Sequence, residues 1–257
     1  MKETNIKRSV TVGEFETAIR ALPEKKKYTR EDLLIPPFLL EEENSISIYY
    51  APHNEYINPE AKVFIIGITP GFEQMGTALA AAKKGFEEGK TIEEIQYACK
   101  VAARFSGTLR KNIIYQLGQI GLPEVLGIES AEQLFAERDD LLHTISLIPY
   151  SVFVKGKNYT GHTPKLIKSP FLMKYVYENF LWDYEQLHSP EQVILIPLGK
   201  AVEEVLFHLA DEGKIKREQI LCGFPHPSGA NVNRLKELEK NKESMRNFLT
   251  AFGRDNG

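Results

Sequence analysis

Short apolar runs rich in β-branched residues alternate with amphipathic segments from residue 61 onward. Four such runs, each closed by glycine or proline, are predicted strands: Lys62–Ile66, Thr144–Ile148, Gln192–Leu198 and Gln219–Phe224. Helical spacing predicts helices over Gly107–Ile120, Ala131–Leu142, Phe171–Leu187, Lys200–Glu212 and about Asn233–Phe252. Continuous apolar strands alternating with helices are typical of a parallel sheet covered on both faces. The pattern predicts an α/β fold, three-layer α/β/α with a four-stranded parallel central sheet.

The first 60 residues have a different pattern. They are predicted to form an N-terminal appendage that packs on the core domain, residues 61–257. Within the appendage, Val12–Leu22 has helical spacing and Ser45–Ala51 alternates as a short strand would. A further segment, Gln74–Lys100, is predicted to be an inserted helical region.

Composition and charge exclude several classes. The 257 residues are 42% hydrophobic and 26% charged, which is ordinary for a globular chain. The net charge of −3 excludes a strongly basic nucleic-acid binder, although a local basic groove remains compatible with it. No apolar run approaches the ~18–20 residues that span a bilayer. We therefore expect no membrane partner.

Cysteine usage and the N-terminal pattern bear on location and metals. Residues 1–10 have no apolar segment of the kind found in secretory signals. Cys99 and Cys222 are the only cysteines, which fits a reduced, cytoplasmic location and excludes a cysteine-rich metal site. HExxH and CxxC signatures are also absent, so we expect no metal and no cofactor.

The candidate chemistry lies in two loops, because ligands of parallel sheets bind beyond the carboxyl ends of the strands. The first loop is Gly67-Ile68-Thr69-Pro70-Gly71, a tight turn that lets a ligand approach the backbone. It matches neither the Walker pattern nor GxGxxG. Alone, this turn is as typical of an ordinary α/β connection as of a binding site.

The second loop follows the fourth predicted strand and reads Phe224-Pro225-His226-Pro227-Ser228-Gly229-Ala230-Asn231. Pro227 disfavours helical backbone at His226, so the imidazole lies on a stiff, extended segment. Ser228 and Asn231 are suitable caps for the next helix, whose free N–H groups and dipole suit an anion. Two interpretations are open. Either the His226 imidazole is a rigidly held electrophile beside an anion site, or the loop only caps the helix and its histidine makes local hydrogen bonds.

Together the two loops resemble the uracil-DNA glycosylase superfamily. Two further segments extend the resemblance: Ala103-Arg104-Phe105-Ser106-Gly107 with the helix that follows it, and Val193–Lys200, VILIPLGK. The similarity spans roughly residues 61–250, and the four motifs occur in the family's order.

The resemblance implies a DNA glycosylase that hydrolyses the N-glycosidic bond of uracil, or a related deaminated base, flipped out of DNA during base excision repair. It implies a monomer that needs no cofactor. His226 would stabilise the departing base anion, Thr69 would face the attacking water, and Phe105 would stack on the base. The pocket wall would include Gly67, Ile68, Pro70 and Gly71. The DNA contacts would be Pro227, Ser228, Gly229, Ala230, Asn231 and Arg234.

Two positions depart from the family. Thr69 stands where Asp, Asn or Ala is usual, and a threonine has no accessible charged state with which to act as a base. Ser146 is the nearest match to an Asn that reads the uracil edge, and it has one donor and a shorter reach. These departures favour an alternative: a non-catalytic or altered-specificity member that binds nucleic acid or a nucleotide.

Two other features of the sequence bear on function. The basic loop Lys155–Pro164 either contacts the DNA backbone or is an ordinary solvated loop. A small-molecule α/β hydrolase would need a G-x-S-x-G elbow, which the sequence lacks.

Overall fold

The structure is a computed structural model that describes residues 10–105 and 107–255. Residues 1–9 of the predicted appendage, Ser106 of the Phe105 turn and residues 256–257 lie outside the described residues. The described chain is a mixed α/β fold with two sheets of different type.

A three-stranded parallel sheet lies at its centre. The strands are β3 (Val63–Gly67), β4 (Leu142–Ser146) and β7 (Ile194–Pro197), in the order β4-β3-β7. Nearly all of their side chains are buried, as expected of strands covered by other elements on both faces. All three were predicted, although β4 begins two residues before the predicted Thr144.

The fourth parallel strand expected over Gln219–Phe224 is not confirmed in the described chain. A single bridge joins Ile220 to Leu195, supported by the Leu221 N–H donating to the Leu195 carbonyl at 2.9 Å. Pairing stops there because side chains take the backbone groups of Gly223. Its N–H donates to Glu203 at 2.6 Å, and its carbonyl accepts from the Asn241 amide at 2.8 Å. Soon afterwards comes Pro225, which has no N–H to offer.

A second sheet, which is antiparallel, joins the N-terminal residues to the chain after β4. Its strands are β1 (Leu39–Glu43), β2 (Ile46–Tyr49), β5 (Ser151–Val154) and β6 (Lys157–Asn158), in the order β1-β2-β5-β6. The alternation in Ser45–Ala51 predicted β2, whereas the other three strands were not predicted.

Ten α-helices occur in the described residues. They are α1 (Glu16–Arg20), α2 (Arg30–Leu33), α3 (Phe72–Glu87), α4 (Ile92–Ala103), α5 (Thr108–Gln119), α6 (Leu122–Leu126), α7 (Pro170–Tyr175), α8 (Leu181–Glu185), α9 (Lys200–Asp211) and α10 (Arg234–Asp255). Within residues 10–105 and 107–255, no helix is long and apolar enough to cross a membrane. The predicted helices α5, α9 and α10 are confirmed within two or three residues at each end. The predicted inserted region forms α3 and α4, and a π-helical turn, Val176–Phe180, connects α7 to α8.

The predicted helix over Ala131–Leu142 was wrong. Two 3-10 turns, Ala131–Phe135 and Asp139–Leu141, precede β4 instead. The Asn58 amide donates to the carbonyls of Asp139, Asp140 and Leu142 at 3.2, 2.7 and 3.1 Å. These carbonyls, in what would be the last turn of the predicted helix, are bound by a distant side chain, and the Asp139 carbonyl also accepts from the Leu142 N–H of the 3-10 turn.

The central sheet separates two hydrophobic clusters. Phe64 and Ile66 of β3 belong to one cluster, while Val63 and Ile65 belong to the other. The first also contains the N-terminal residues Val12, Ile19, Leu33 and Phe38, each fully buried. The second is completed by side chains of α5, α6 and α10. The N-terminal segment thus contributes to the core on one side of the sheet.

Candidate functional site

The carboxyl ends of β3, β4 and β7 gather at one edge of the parallel sheet. Neighbouring strands lie about 4.8 Å apart, so the ends of β4 and β7 are about 10 Å from each other. Pairing continues past β4, where Leu147 and Ile148 N–H donate to the carbonyls of Gly67 and Ile68 at 2.9 and 3.0 Å. The helices α3 and α9 begin at this edge, so their positive dipole ends favour an anionic ligand here, while the first N–H of α3, that of Phe72, donates to Asn158 at 3.4 Å.

Thr69 connects the first loop to the antiparallel sheet. Its hydroxyl donates to the Tyr150 carbonyl at 2.5 Å and accepts from the Val152 N–H at 3.1 Å. The side chain is half-buried. Because the hydroxyl hydrogen is already donated, Thr69 can offer a water molecule only a remaining lone pair.

Gly67, Phe105 and Ser146 come together beside this loop. A Cβ built on Gly67 would lie 3.5 Å from Ser146 Oγ and 3.9 Å from Phe105 Cε1. Both side chains are 7% exposed. Phe105 has φ +44°, a strained conformation for a residue other than glycine, which makes this turn a candidate functional site.

A small cavity adjoins Phe105 and Ser146. It measures about 10 Å³, room for one water molecule at most, and its wall also contains His53, Asn54 and Gln74. The Asn54 amide donates to the Pro149 carbonyl at 3.0 Å. Sequence analysis missed Asn54 because it lies in the N-terminal segment, where no motif marks it.

His226 lies on an extended segment beyond the end of β7. Its Nδ1 accepts from the Ser228 N–H at 3.2 Å, which requires Nδ1 to be unprotonated. The neutral ring therefore carries its hydrogen on Nε2. Although the residue is exposed overall, partial burial of the ring, followed by the nearby His162, holds the pKa of His226 below its ordinary 6.5. At neutral pH the ring is thus an uncharged Nε2–H donor.

Gly199 allows His226 to approach the end of β7. Its φ is +89°, and a Cβ built on it would lie 3.0 Å from His226 Cβ and 3.4 Å from Cδ2. Glycine is therefore required at this position both by the backbone conformation and by the close contact. The signal in the sequence was the Leu-Gly-Lys turn within VILIPLGK.

The basic loop Lys155–Pro164 borders the same edge. A Cβ built on Gly161 would collide with Ile68 Cδ1 and lie 3.0 Å from Ala201 Cβ, so the loop packs against the first turn and the start of α9. The next residue, His162, lowers the pKa of His226. His162 was not singled out in the sequence, since it has no motif partner there.

The predicted DNA-contacting residues hold their own loop together. Ser228 Oγ accepts from the Ala230 N–H at 3.2 Å, and Arg234 donates to the Ser228 carbonyl at 3.0 Å. The Asn231 amide donates to Glu237 at 2.9 Å. Gly229 and Ala230 are exposed, whereas Pro227 is buried. Their role in DNA binding stays a prediction.

Two amide side chains on α5 contact the same loop. The Asn112 amide donates to the Pro227 carbonyl at 2.7 Å, and the Gln116 amide donates to the Pro225 carbonyl at 3.1 Å. Sequence analysis missed both. Their spacing of four residues marked one helix face, but nothing local indicated what that face would meet.

A cleft of about 430 Å³ lies on the other side of Arg104, along the outer edge of β4. Arg104 and Thr144 line both this cleft and the small cavity. In the cleft, Asp139 accepts from Arg104 at 3.1 Å and from Tyr97 at 2.9 Å, so this carboxylate is already engaged. Among the described residues, no group of three or more His, Cys, Asp or Glu side chains could hold a metal ion.

The chain is similar to known proteins both in sequence and in structure. No family model matches the sequence. The chain is 44% identical over 239 residues to the uncharacterized protein YoxB of Bacillus subtilis (strain 168), which covers 93% of this chain and 92% of that protein. The crystal structure of wild-type Pedobacter heparinus SMUG2 matches with a TM-score of 0.43 and 15% identity, over 93% of this chain and 98% of that one. The second similarity is too low to carry an argument.

Proposed function

This chain belongs to the same family as YoxB of Bacillus subtilis, and from its candidate site we propose that it is a DNA glycosylase. The proposed reaction is hydrolysis of the N-glycosidic bond of uracil, or a related deaminated base, flipped out of DNA in base excision repair. The protein would act as a cytoplasmic monomer on damaged DNA, without a cofactor. The four motifs that resemble the uracil-DNA glycosylase superfamily support this assignment.

The observation that carries the proposal is the state of His226. When the glycosidic bond breaks, its electron pair leaves with the base, and the negative charge develops only in the transition state. A fixed, neutral Nε2–H donor binds the charged base more strongly than the uncharged base of the ground state and so lowers the barrier. The hydrogen bond from Ser228 N–H to Nδ1 and the lowered pKa of His226 both favour this form of the ring.

The groups beside His226 are suited to bind a base at the same edge of the parallel sheet. The Phe105 ring offers an apolar surface, and the Ser146 hydroxyl and Asn54 amide lie beside it. The dipoles of α3 and α9 would favour phosphate or the departing anion. Water would attack the sugar carbon without a strong protein base, since Thr69 is uncharged and donates its hydrogen to the Tyr150 carbonyl. The proton lost by the water would pass to the departing base anion or to solvent.

Single-turnover excision tests the proposal. Excess protein is incubated with labelled single- and double-stranded oligonucleotides containing uracil, and abasic sites are then cleaved with alkali. We expect cleavage at uracil but not at thymine. The variant His226→Ala should lose at least ~10²–10³ in rate while keeping most of its DNA affinity. The matched control His188→Ala should keep the wild-type rate, because His188 is bonded to Glu60 and Pro59 before β3 begins.

Two results would contradict the proposal. If wild-type protein excises uracil and His226→Ala matches it within a factor of two, His226 is not the electrophile. If no uracil, hypoxanthine or xanthine is released, the glycosylase assignment fails.

A second candidate is a family member that binds nucleic acid or a nucleotide without cleaving it. The cavity beside Phe105 favours nucleic-acid binding without a flipped base, because about 10 Å³ does not admit a base without movement of the Phe105 turn. Binding of uracil-containing DNA without release of any base would support it.

A further inference from the structure

Three successive carbonyls around His226 each accept a hydrogen bond from a side-chain amide. The Pro225 carbonyl accepts from Gln116 at 3.1 Å, and the Pro227 carbonyl accepts from Asn112 at 2.7 Å. Between them, the His226 carbonyl accepts from Asn231 at 3.3 Å. The backbone is thus held on both sides of the imidazole.

The segment needs such partners because it cannot supply its own. Pro225 and Pro227 have no N–H group, so neither can donate to a sheet or helix. The residues lie in no strand or helix. Without outside donors, the direction of the His226 side chain would depend on the two proline rings and on the bond from Ser228 to Nδ1.

Helix α5 is a rigid support for these donors. Asn112 and Gln116 are one turn apart and therefore lie on the same face. Ile113, which follows Asn112, and Leu117, which follows Gln116, are fully buried in the second hydrophobic cluster. The two amides therefore extend from a helix that is anchored in the core.

Gln116 is not the residue that packing alone would select. It is fully buried, and its Oε1 has no hydrogen-bond partner among the described residues. A buried polar atom of this kind lowers stability. Local departures from good packing are expected where a side chain serves function.

We infer that Asn112 and Gln116 are positioning residues for His226, which fix the loop so that Nε2–H points at the reacting base. This inference rests on the proposed function for its effect on rate. The placement of the ring does not depend on that function. Neither amide touches the substrate in this role. Both act through the carbonyls of Pro225 and Pro227.

The test measures the excision rate and the tautomer of the His226 ring in the same variants. Asn112→Leu and Gln116→Leu are compared with Gln119→Leu on the same helix, whose side chain contacts Lys242 and not the His226 loop. Single-turnover excision of uracil should slow by about 10- to 100-fold in the first two variants, since small misplacements of a catalytic group have effects of this size. DNA affinity should stay within twofold. Gln119→Leu should match wild type.

Imidazole ¹⁵N NMR supplies the readout that a purely structural role would not move. In wild type, Nδ1 of His226 should give an unprotonated shift and Nε2 a protonated one. In Asn112→Leu and Gln116→Leu the two shifts should approach each other as the tautomers mix. In the double variant the loss of rate should be less than the product of the single losses, because both residues hold one segment.

The outcomes separate this inference from the proposed function. Ring shifts that stay as in wild type in both variants overturn it, whether or not the rate falls. If wild-type protein excises no base, mixed tautomers in the variants still support positioning, while the glycosylase proposal fails. If Gln116→Leu does not fold, the inference is tested by the same criteria on Asn112→Leu, because Asn112 is only half-buried.

Discussion

At the scale of single residues, the nearness of His162 to His226 predicts how activity depends on pH. His226 donates only while Nδ1 is unprotonated, and partial burial and His162 hold its pKa below 6.5. The excision rate should therefore be level around pH 7–8 and fall as the pH drops through the lowered pKa. His162→Gln removes one of the two causes that lower the pKa of His226. That pKa should rise, so the excision rate should begin to fall at a higher pH than in wild type.

Single-turnover rates between pH 5 and 8 measure this shift, and NMR titration of His226 checks it independently. His188→Gln is the control. His188 contacts Glu60, so this variant should have the same pH dependence of the excision rate as wild type. If the excision rate of His162→Gln falls at the same pH as that of wild type, or at a lower pH, His162 does not lower the pKa of His226.

A second prediction at this scale concerns Thr69. Thr69→Val keeps the shape of the side chain but leaves the Tyr150 carbonyl and the Val152 N–H without their partner. We expect the free energy of unfolding to fall by about 2 kcal/mol. Thr69→Ser keeps the hydroxyl and should cost less than half as much. Urea unfolding measures both, and equal stability of Thr69→Val and wild type would show that these hydrogen bonds contribute nothing.

At the scale of elements, one buried carboxylate links the N-terminal segment to the core. Glu55 accepts from the Val12 N–H at 2.9 Å, from the Gln96 amide at 3.0 Å and from the Tyr50 hydroxyl. Val12 begins a 3-10 turn, Val12–Phe15, Gln96 lies on α4, and Tyr50 directly follows β2. The carboxylate therefore joins three elements that no local sequence pattern brings together.

Glu55→Ala should destabilise the protein by about 3 kcal/mol, because the buried Val12 N–H and Tyr50 hydroxyl lose their acceptor. Glu42→Ala, an equal change of charge on the exposed end of β1, should cost less than ~0.5 kcal/mol. Thermal or urea unfolding compares them. Similar stabilities of the two variants would mean that Glu55 is not a structural link.

At the scale of the whole molecule, an acidic chain must bind DNA through local positive regions. The net charge is −3, whereas exposed Lys155 and Lys157 lie on the hairpin beside the site. Binding should be weak and sensitive to salt. Replacing both lysines by alanine should reduce the slope of log K against log salt for duplex DNA by up to ~2.

Lys214→Ala with Lys216→Ala is the matched control for this prediction. These lysines follow the C-terminal end of α9, away from the edge where α9 begins, so the slope should not change. Fluorescence anisotropy at several salt concentrations measures it. Equal slopes for both double variants would place the DNA elsewhere on the surface.

Local pattern alone determined a large part of this protein. The apolar runs predicted β3, β4 and β7, and helical spacing predicted α5, α9 and α10, because these elements are specified by their own periodicity and by the glycine or proline that ends them. The same local chemistry marked the Gly67–Gly71 turn and the extended His226 segment. Parallel strand order then implied that both loops lie at one edge of the sheet.

Only the tertiary structure decided the rest, because the deciding partners are distant in the chain. The antiparallel sheet depends on pairing β2 with β5. Asn58 binds carbonyls where a helix was predicted before β4. The expected fourth strand is reduced to a single bridge, because Glu203 and Asn241 bind the backbone of Gly223. The amides that hold the His226 loop come from α5 in the same way. A side chain that satisfies a backbone group across the fold leaves no periodic trace in the sequence, since one residue suffices to supply the hydrogen bond.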